Sequence, residues 1–190
     1  MLTEKEVIGI FEKYNALLSG HFKLSSGLHS AKYLQCALVL QDPELAEKLA
    51  IVIAEKVLGI DIDLVVGPAL GGVTLAYEVA RMLGVRGIFT ERDEGKMTLR
   101  RGFSIKPGEK VLVVEDVVTT GLSTKEVMDV VKAHGGVVVA VASIIDRSEV
   151  VPDYGVKFVS LAKVKVDTYK PEDCPLCKSG SVAIKPGSRK

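Results

Sequence analysis

The sequence predicts an α/β fold with a mostly parallel central sheet flanked by helices. Two patterns and one magnitude carry that reading. Runs of almost continuous Val, Ile and Leu, at 64–66, 111–115 and 137–145, have the composition of strands buried on both faces. These runs alternate with stretches of helical periodicity, the order that a parallel sheet requires. At 190 residues, 47% of them hydrophobic, the chain suits one core with a modest appendage.

From the amino end, Val7, Ile8, Phe11, Tyr14, Leu17 and Leu18 share one helical face, which predicts an amphipathic helix over 3–18. Residues 20–30, GHFKLSSGLHS, are rich in Gly and Ser, and 33–40 reads as a short strand, so a small hairpin-like hood is expected here. Asp42 and Pro43 supply an N-cap and a first helical residue for a helix over 44–58. A strand at 64–66, a helix at 73–83 and a strand at 87–89 follow. Residues 91–102 are polar and charged and read as a loop. After the turn signal KPGE at 106–109 come a strand at 111–115, a helix at 123–134 and a strand at 137–145. The basic, Gly- and Pro-containing end, 185–190, reads as a mobile tail. The expected organisation is an N-terminal helix and hood over 1–40 that takes in part of the C-terminal segment, an α/β core over 41–170, and a C-terminal CPLC segment and tail over 171–190.

Composition removes several function classes. A net charge of +1 offers no overall field for nucleic acid or an anionic membrane. No apolar run approaches the length of a spanning helix, and the start, MLTEKEVIGIFEKY, is too acidic and periodic for a signal peptide, so a cytoplasmic protein is expected. Three cysteines do not make a disulfide framework. Cys174 and Cys177 look like half a zinc knuckle, and with no second Cys-x-x-Cys in the chain, pairing of two halves in a dimer would complete the four ligands that tetrahedral zinc needs.

The chemistry concentrates in VLVVEDVVTTG, residues 111–121. Glu115 and Asp116 stand at the carboxyl end of a buried strand, where ligands of open α/β sheets collect. Val117, Val118, Thr119, Thr120 and Gly121 then lead into a helix whose first-turn amides, at Leu122 and Ser123, face outward for an anion. Carboxylates for vicinal hydroxyls beside a phosphate cradle describe ribose 5-phosphate. The P-loop and the dinucleotide fingerprint are both missing. A second strand-to-helix loop, with Ala69, Leu70 and Gly71, offers amides for a second anion.

That string resembles the phosphoribosyl-diphosphate signature of type I phosphoribosyltransferases. The resemblance implies that Glu115 and Asp116 hold the ribose hydroxyls, that Thr119, Thr120 and Gly121 hold the 5-phosphate, that Ala69, Leu70 and Gly71 meet the diphosphate, and that magnesium accompanies it. Three further segments are similar to orotate phosphoribosyltransferases. Residues 91–101, ERDEGKMTLRR, resemble their mobile catalytic loop, which implies a homodimer in which Arg92 and Lys96 act in the neighbouring subunit. Asp93 stands where lysine is usual and Thr98 where histidine is usual, leaving Arg100 or Arg101 to supply the missing charge. Residues 20–30 resemble the substrate hood, with Ser26, Gly27 and Ser30 matching, Ser25 in place of a common lysine, and Lys23 as its substitute. Arg147 matches the base-recognition arginine, whose planar fork suits a carboxylate, and Thr119 also reaches the base. Gly71 departs from a lysine found in many such enzymes. The tail CPLCKSGSVAIKPGSR resembles that of one bacterial branch. Two rivals stand beside this reading: a purine-type phosphoribosyltransferase with the same ribose-phosphate site, and a noncatalytic regulator that binds nucleotide or RNA.

Overall fold

A computed structural model describes residues 2–24 and 27–185. Its centre is a six-stranded sheet, made of β3 (Leu64–Pro68), β4 (Arg86–Asp93), β5 (Lys96–Thr98), β6 (Lys110–Val118), β7 (Val137–Asp146) and β8 (Lys157–Lys163), in the order β5-β4-β3-β6-β7-β8. All neighbours are parallel except the β4–β5 edge hairpin. Helices α1 (Glu4–Lys13), α3 (Pro43–Lys56) and α4 (Gly71–Leu83) cover one face, and α5 (Leu122–Ala133) covers the other. Strand alternation divides the core accordingly: Val65, Leu112 and Val114 pack with α3 and α4, whereas Leu64, Val66, Val111 and Val113 pack with Val127, Met128 and Val131 of α5. Burial on both faces is why these strands read as unbroken apolar runs, and the α/β expectation is met.

The scaffold helices close their own first turns. Thr3 forms a capping box with Glu6 at α1, and Asp42 accepts from the amides of Glu44 and Leu45 at α3, with Pro43 at the first position. Helix α1 stops at Lys13, short of the expected residue 18, because Asn15 takes a left-handed conformation (φ 54°) and turns the chain into the strand that begins at Leu17.

Strands β1 (Leu17–Lys23), β2 (His29–Leu34) and β9 (Thr168–Tyr169) form a separate three-stranded hood sheet, which therefore includes part of the C-terminal region. Between Ser19 and Phe22 the β1–β2 register slips, so that Gly20 and His21 oppose Ala31 alone, a bulge that turns both His21 and Phe22 inward. The strand expected at 33–40 instead lies at 29–34, and residues 37–40 form the short helix α2 (Ala37–Leu40); a brief apolar run such as ALVL does not discriminate between the two.

Residues 91–102 also differ from the expected loop. Arg92 pairs with Met97 and Asp93 with Lys96 across a two-residue turn in which Glu94 (φ 49°) and Gly95 (φ 83°) both occupy the left-handed region that such hairpins favour. Ser26 and the tail 186–190 lie outside the described residues.

Candidate functional site

Strand β6 runs to Val118, three residues past the expected end, so Glu115 pairs in register with Ser143 and Val118 with Asp146. Glu115 is thereby buried, and Asp116 is partly exposed. Burial first, and the neighbouring Asp116 carboxylate second, push Glu115 up to about 9. At neutral pH Glu115 keeps its proton, and the acidic pair offers a hydrogen-bond donor as well as acceptors.

Beyond the strand, Thr119 and Thr120 are exposed and Gly121 is the N-cap of α5. Gly121 is irreplaceable on two counts. Its φ is 77°, and a Cβ there would lie 2.7 Å from the Tyr154 hydroxyl and 2.8 Å from Pro152. With no side chain to cap the helix, the first turn keeps its amides for a ligand, apart from the Leu122 amide, which donates to Thr120 Oγ1 at 3.3 Å.

The loop after β3 is built in the same way. Ala69 donates to the Thr90 carbonyl at 2.7 Å, the Ala69–Leu70 peptide is cis, and Leu70 is an N-cap without a capping side chain at α4. A Cβ on Gly71 would fall 2.4 Å from Asp116 Oδ2. Asp116 therefore occupies the space a side chain at 71 needs, so what position 71 presents to a ligand is its backbone. Asp116 Oδ1 also accepts from the Val117 amide at 3.0 Å.

Arg147 follows β7, and its amide donates to the Val118 carbonyl at 2.8 Å, tying it to the end of β6. The preceding acid is not its partner. Asp146 accepts from the Ser148 amide at 2.8 Å and from its hydroxyl at 2.6 Å, and lies 3.9 Å from Lys163. Arg147 Nε is buried with no hydrogen-bond partner among the described residues, and burial lowers the guanidinium pKa from its ordinary value. Cys36, which the sequence reading passed over, links this arginine to the acids. Its thiol is pushed well up by burial, then by Asp116 and Glu115, while Arg147 opposes the shift. A thiol that feels all three groups places them in one neighbourhood.

Since Pro68 pairs with Thr90, residues 91–93 project past the carboxyl edge of the sheet, the edge that carries these loops. In the hairpin, Arg92 pairs with Glu126 of α5 and donates to the Gly95 carbonyl at 2.8 Å. Arg100 pairs with Asp93 at 3.2 Å and Arg101 with Glu91 at 3.0 Å. Lys96 is exposed and forms no ion pair among the described residues.

In the hood, Lys23 is exposed at the end of β1, and Ser30 is buried with its hydroxyl donating to the Asp167 carbonyl at 2.9 Å. His29 is buried. It and His21 converge on Cys174 and Cys177, the four ligand atoms lying within 4.8 Å of one another. Beside the expected pairing of two halves in a dimer, the structure offers partners within the same chain, for these two histidines stand opposite the cysteine pair. Periodicity gives no sign of them; the β1–β2 bulge brings His21 round.

The chain matches the phosphoribosyl transferase domain family over residues 39–173. It is 60% identical over 183 residues to an orotate phosphoribosyltransferase of Carboxydothermus hydrogenoformans, covering 95% of this chain and 96% of that one. It is 55% identical over 189 residues to one of Pelotomaculum thermopropionicum, covering all of both chains. Among solved structures it is similar to the orotate phosphoribosyltransferase from Aeropyrum pernix, with TM-score 0.67 at 28% identity over 83% of this chain and 93% of that one.

Proposed function

The chain belongs to the orotate phosphoribosyltransferase branch of the phosphoribosyl transferase family, and we propose that it joins orotate to 5-phosphoribosyl 1-diphosphate, giving orotidine 5′-monophosphate and diphosphate. The observation that carries the choice of base is Arg147. A buried guanidinium nitrogen without a partner, near the acidic pair, calls for an anion, and orotate brings a carboxylate where purine bases bring none.

In this reading the α5 amino end, with Val117, Val118, Thr119, Thr120, Gly121, Leu122 and Ser123, cradles the 5-phosphate. The backbone of Ala69, Leu70 and Gly71 faces the diphosphate. Glu115 and Asp116 fix the ribose hydroxyls, while Arg147, Thr119, Lys23 and Ser26 surround the base. The C1′–oxygen bond breaks and its electron pair leaves on the diphosphate; orotate N1 supplies the pair for the new bond and releases its proton. As the old bond lengthens, positive charge builds on the ribose ring beside two carboxyl groups already in place. The carboxyl oxygens of the partly exposed Asp116 are hard donors of the kind magnesium takes, and magnesium bound there with the diphosphate would neutralise charge on the leaving group.

Hairpin 91–101 is read as serving the site of a neighbouring copy in a homodimer, with Arg92 and Lys96 meeting diphosphate. Its projection beyond the sheet edge supports this, and so does the unpaired Lys96 at its turn. No described helix is long and apolar enough to cross a membrane, and three free thiols fit a reducing cytoplasm. The test is a base-depletion assay with phosphoribosyl diphosphate, magnesium and, in parallel, orotate, adenine, xanthine or uracil. Consumption of orotate alone is expected. Preference for a purine would overturn the reading, and strong salt-dependent RNA binding by a protein inert toward all four bases would replace it.

A further inference from the structure

We infer that His21, His29, Cys174 and Cys177 form a tetrahedral zinc site that fastens the C-terminal segment to the hood. His21 Nε2 lies 3.0 Å from His29 Nδ1, 3.4 Å from Cys174 Sγ and 3.7 Å from Cys177 Sγ, and Cys177 Sγ lies 3.2 Å from His29 Nδ1. Tetrahedral zinc, with bonds of about 2.0–2.1 Å to nitrogen and about 2.3 Å to sulfur, sets its nitrogens about 3.3 Å apart and each nitrogen–sulfur pair about 3.6 Å apart. The four separations just given lie within about 0.4 Å of those values, and all four ligand atoms lie within 4.8 Å of one another.

The protonation pattern agrees. His21 Nδ1 is 3.1 Å from the Ser181 carbonyl oxygen, which can only accept, so Nδ1 carries a hydrogen and Nε2 is the ring nitrogen that faces the cluster. A backbone carbonyl behind a histidine is the usual second partner of a metal ligand. On the other side, Lys178 donates to the Cys174 carbonyl at 3.1 Å, and Gly180, at φ 83°, donates to that of Cys177 at 2.9 Å, which curls the Cys-Pro-Leu-Cys segment around its sulfurs.

An independent observation is how little else holds this segment. Over residues 171–185 only Cys174 is buried. Apart from the cluster, the hydrogen bonds that tie it to β1 and β2 among the described residues are those of a single Phe22–Ile184 bridge and the Ser181 contact just described. A stretch without apolar burial cannot stay folded on the hydrophobic effect, and a metal supplies the missing free energy. Two thiolates and two imidazoles in a tetrahedron select zinc over magnesium or calcium, and four protein ligands leave no open position, so the site is structural. His21 and His29 bracket the β1–β2 turn that carries Lys23. The metal therefore sets the geometry of the hood; this last step rests on the orotate reading, while the site itself does not.

The experiment is elemental analysis of untagged protein purified without added metal, paired with thermal melting before and after a strong chelator. One zinc per chain is expected, with a melting temperature lowered by chelation and restored by zinc, and cobalt substitution should give the intense visible bands of tetrahedral sulfur coordination. Cys177→Ser, at a partly exposed position, should lose the zinc and melt lower even if it folds less well, and the chelated wild type guards against that ambiguity. If the hood is zinc-set, the orotate KM rises several-fold on chelation while the phosphoribosyl diphosphate KM hardly moves. One zinc per two chains would return the site to a shared interface. Metal-free protein with unaltered melting, a different bound metal, or a Cys174–Cys177 disulfide in freshly isolated protein would each overturn the proposal. An inert protein that still carries one zinc per chain would sink only the orotate reading.

Discussion

The loop between β6 and α5 draws Glu115, Asp116, Thr119, Thr120 and Gly121 from seven consecutive residues, whereas the His21–Cys177 contact spans 156 positions. The first site is held by the sheet: Val111, Leu112, Val113 and Val114 are fully buried beneath it, and α5 begins there at Gly121 with no capping side chain. The second has no core of its own and depends on side chains meeting. A site carried by buried backbone should tolerate loss of a ligand group without unfolding, and a site made by convergence should not.

The sharpest way to break that contrast is Asp116→Asn. Removing one charge where the transition state builds its own should lower kcat by about 10²–10³-fold with little change in melting temperature; unchanged turnover in a magnesium-dependent orotate assay would end the assignment. Arg147→Ala comes next. Loss of a charge-assisted pair worth about 1.5–3 kcal/mol predicts that kcat/KM for orotate falls about 10–100-fold, with phosphoribosyl diphosphate affinity, read by calorimetry, nearly constant.

Glu115 gives a pH signature. Its folded pKa of about 9 lies above the ordinary 4.5, so between those values the folded chain binds more protons than the unfolded one. Stability is greatest below the lower value, falls as pH rises by at most about 1.4 kcal/mol per unit, and levels off above the upper. Denaturant melts of Glu115→Gln should lose most of that slope. The smallest effect concerns the hairpin. Glu126→Gln frees Arg92 at a cost of about 0.5 kcal/mol, and a large loss of stability would mean that the hairpin is a fixed part of the core.

What the sequence discloses follows the same division. Strand runs, the Thr3 and Asp42 caps and the ribose-phosphate loop are local, so periodicity and spacing reveal them. The left-handed Asn15 that shortens α1, the helix at 37–40 and the Glu94-Gly95 turn are local too, but their signals are weak against a competing apolar or charged pattern. His21 and His29 are invisible for another reason. Their role depends on a bulge in one strand and on where the chain returns some 145 residues later, a distance that no local rule spans. Cys36 is hidden likewise, since its importance lies in what surrounds it.

Helices α1 and α3 cap themselves with Thr3 and Asp42, whereas α4 and α5 begin at Leu70 and Gly121, which have no capping side chain. Against a serine or aspartate cap, the Leu70 cap forgoes about 1 kcal/mol and the Gly121 cap only a few tenths, and phosphate groups bound at these ends, as proposed, would offset the loss. On the proposed reading part of the fold's stability comes from its ligand, and resistance to proteases should rise with the logarithm of phosphoribosyl diphosphate concentration once that exceeds the dissociation constant.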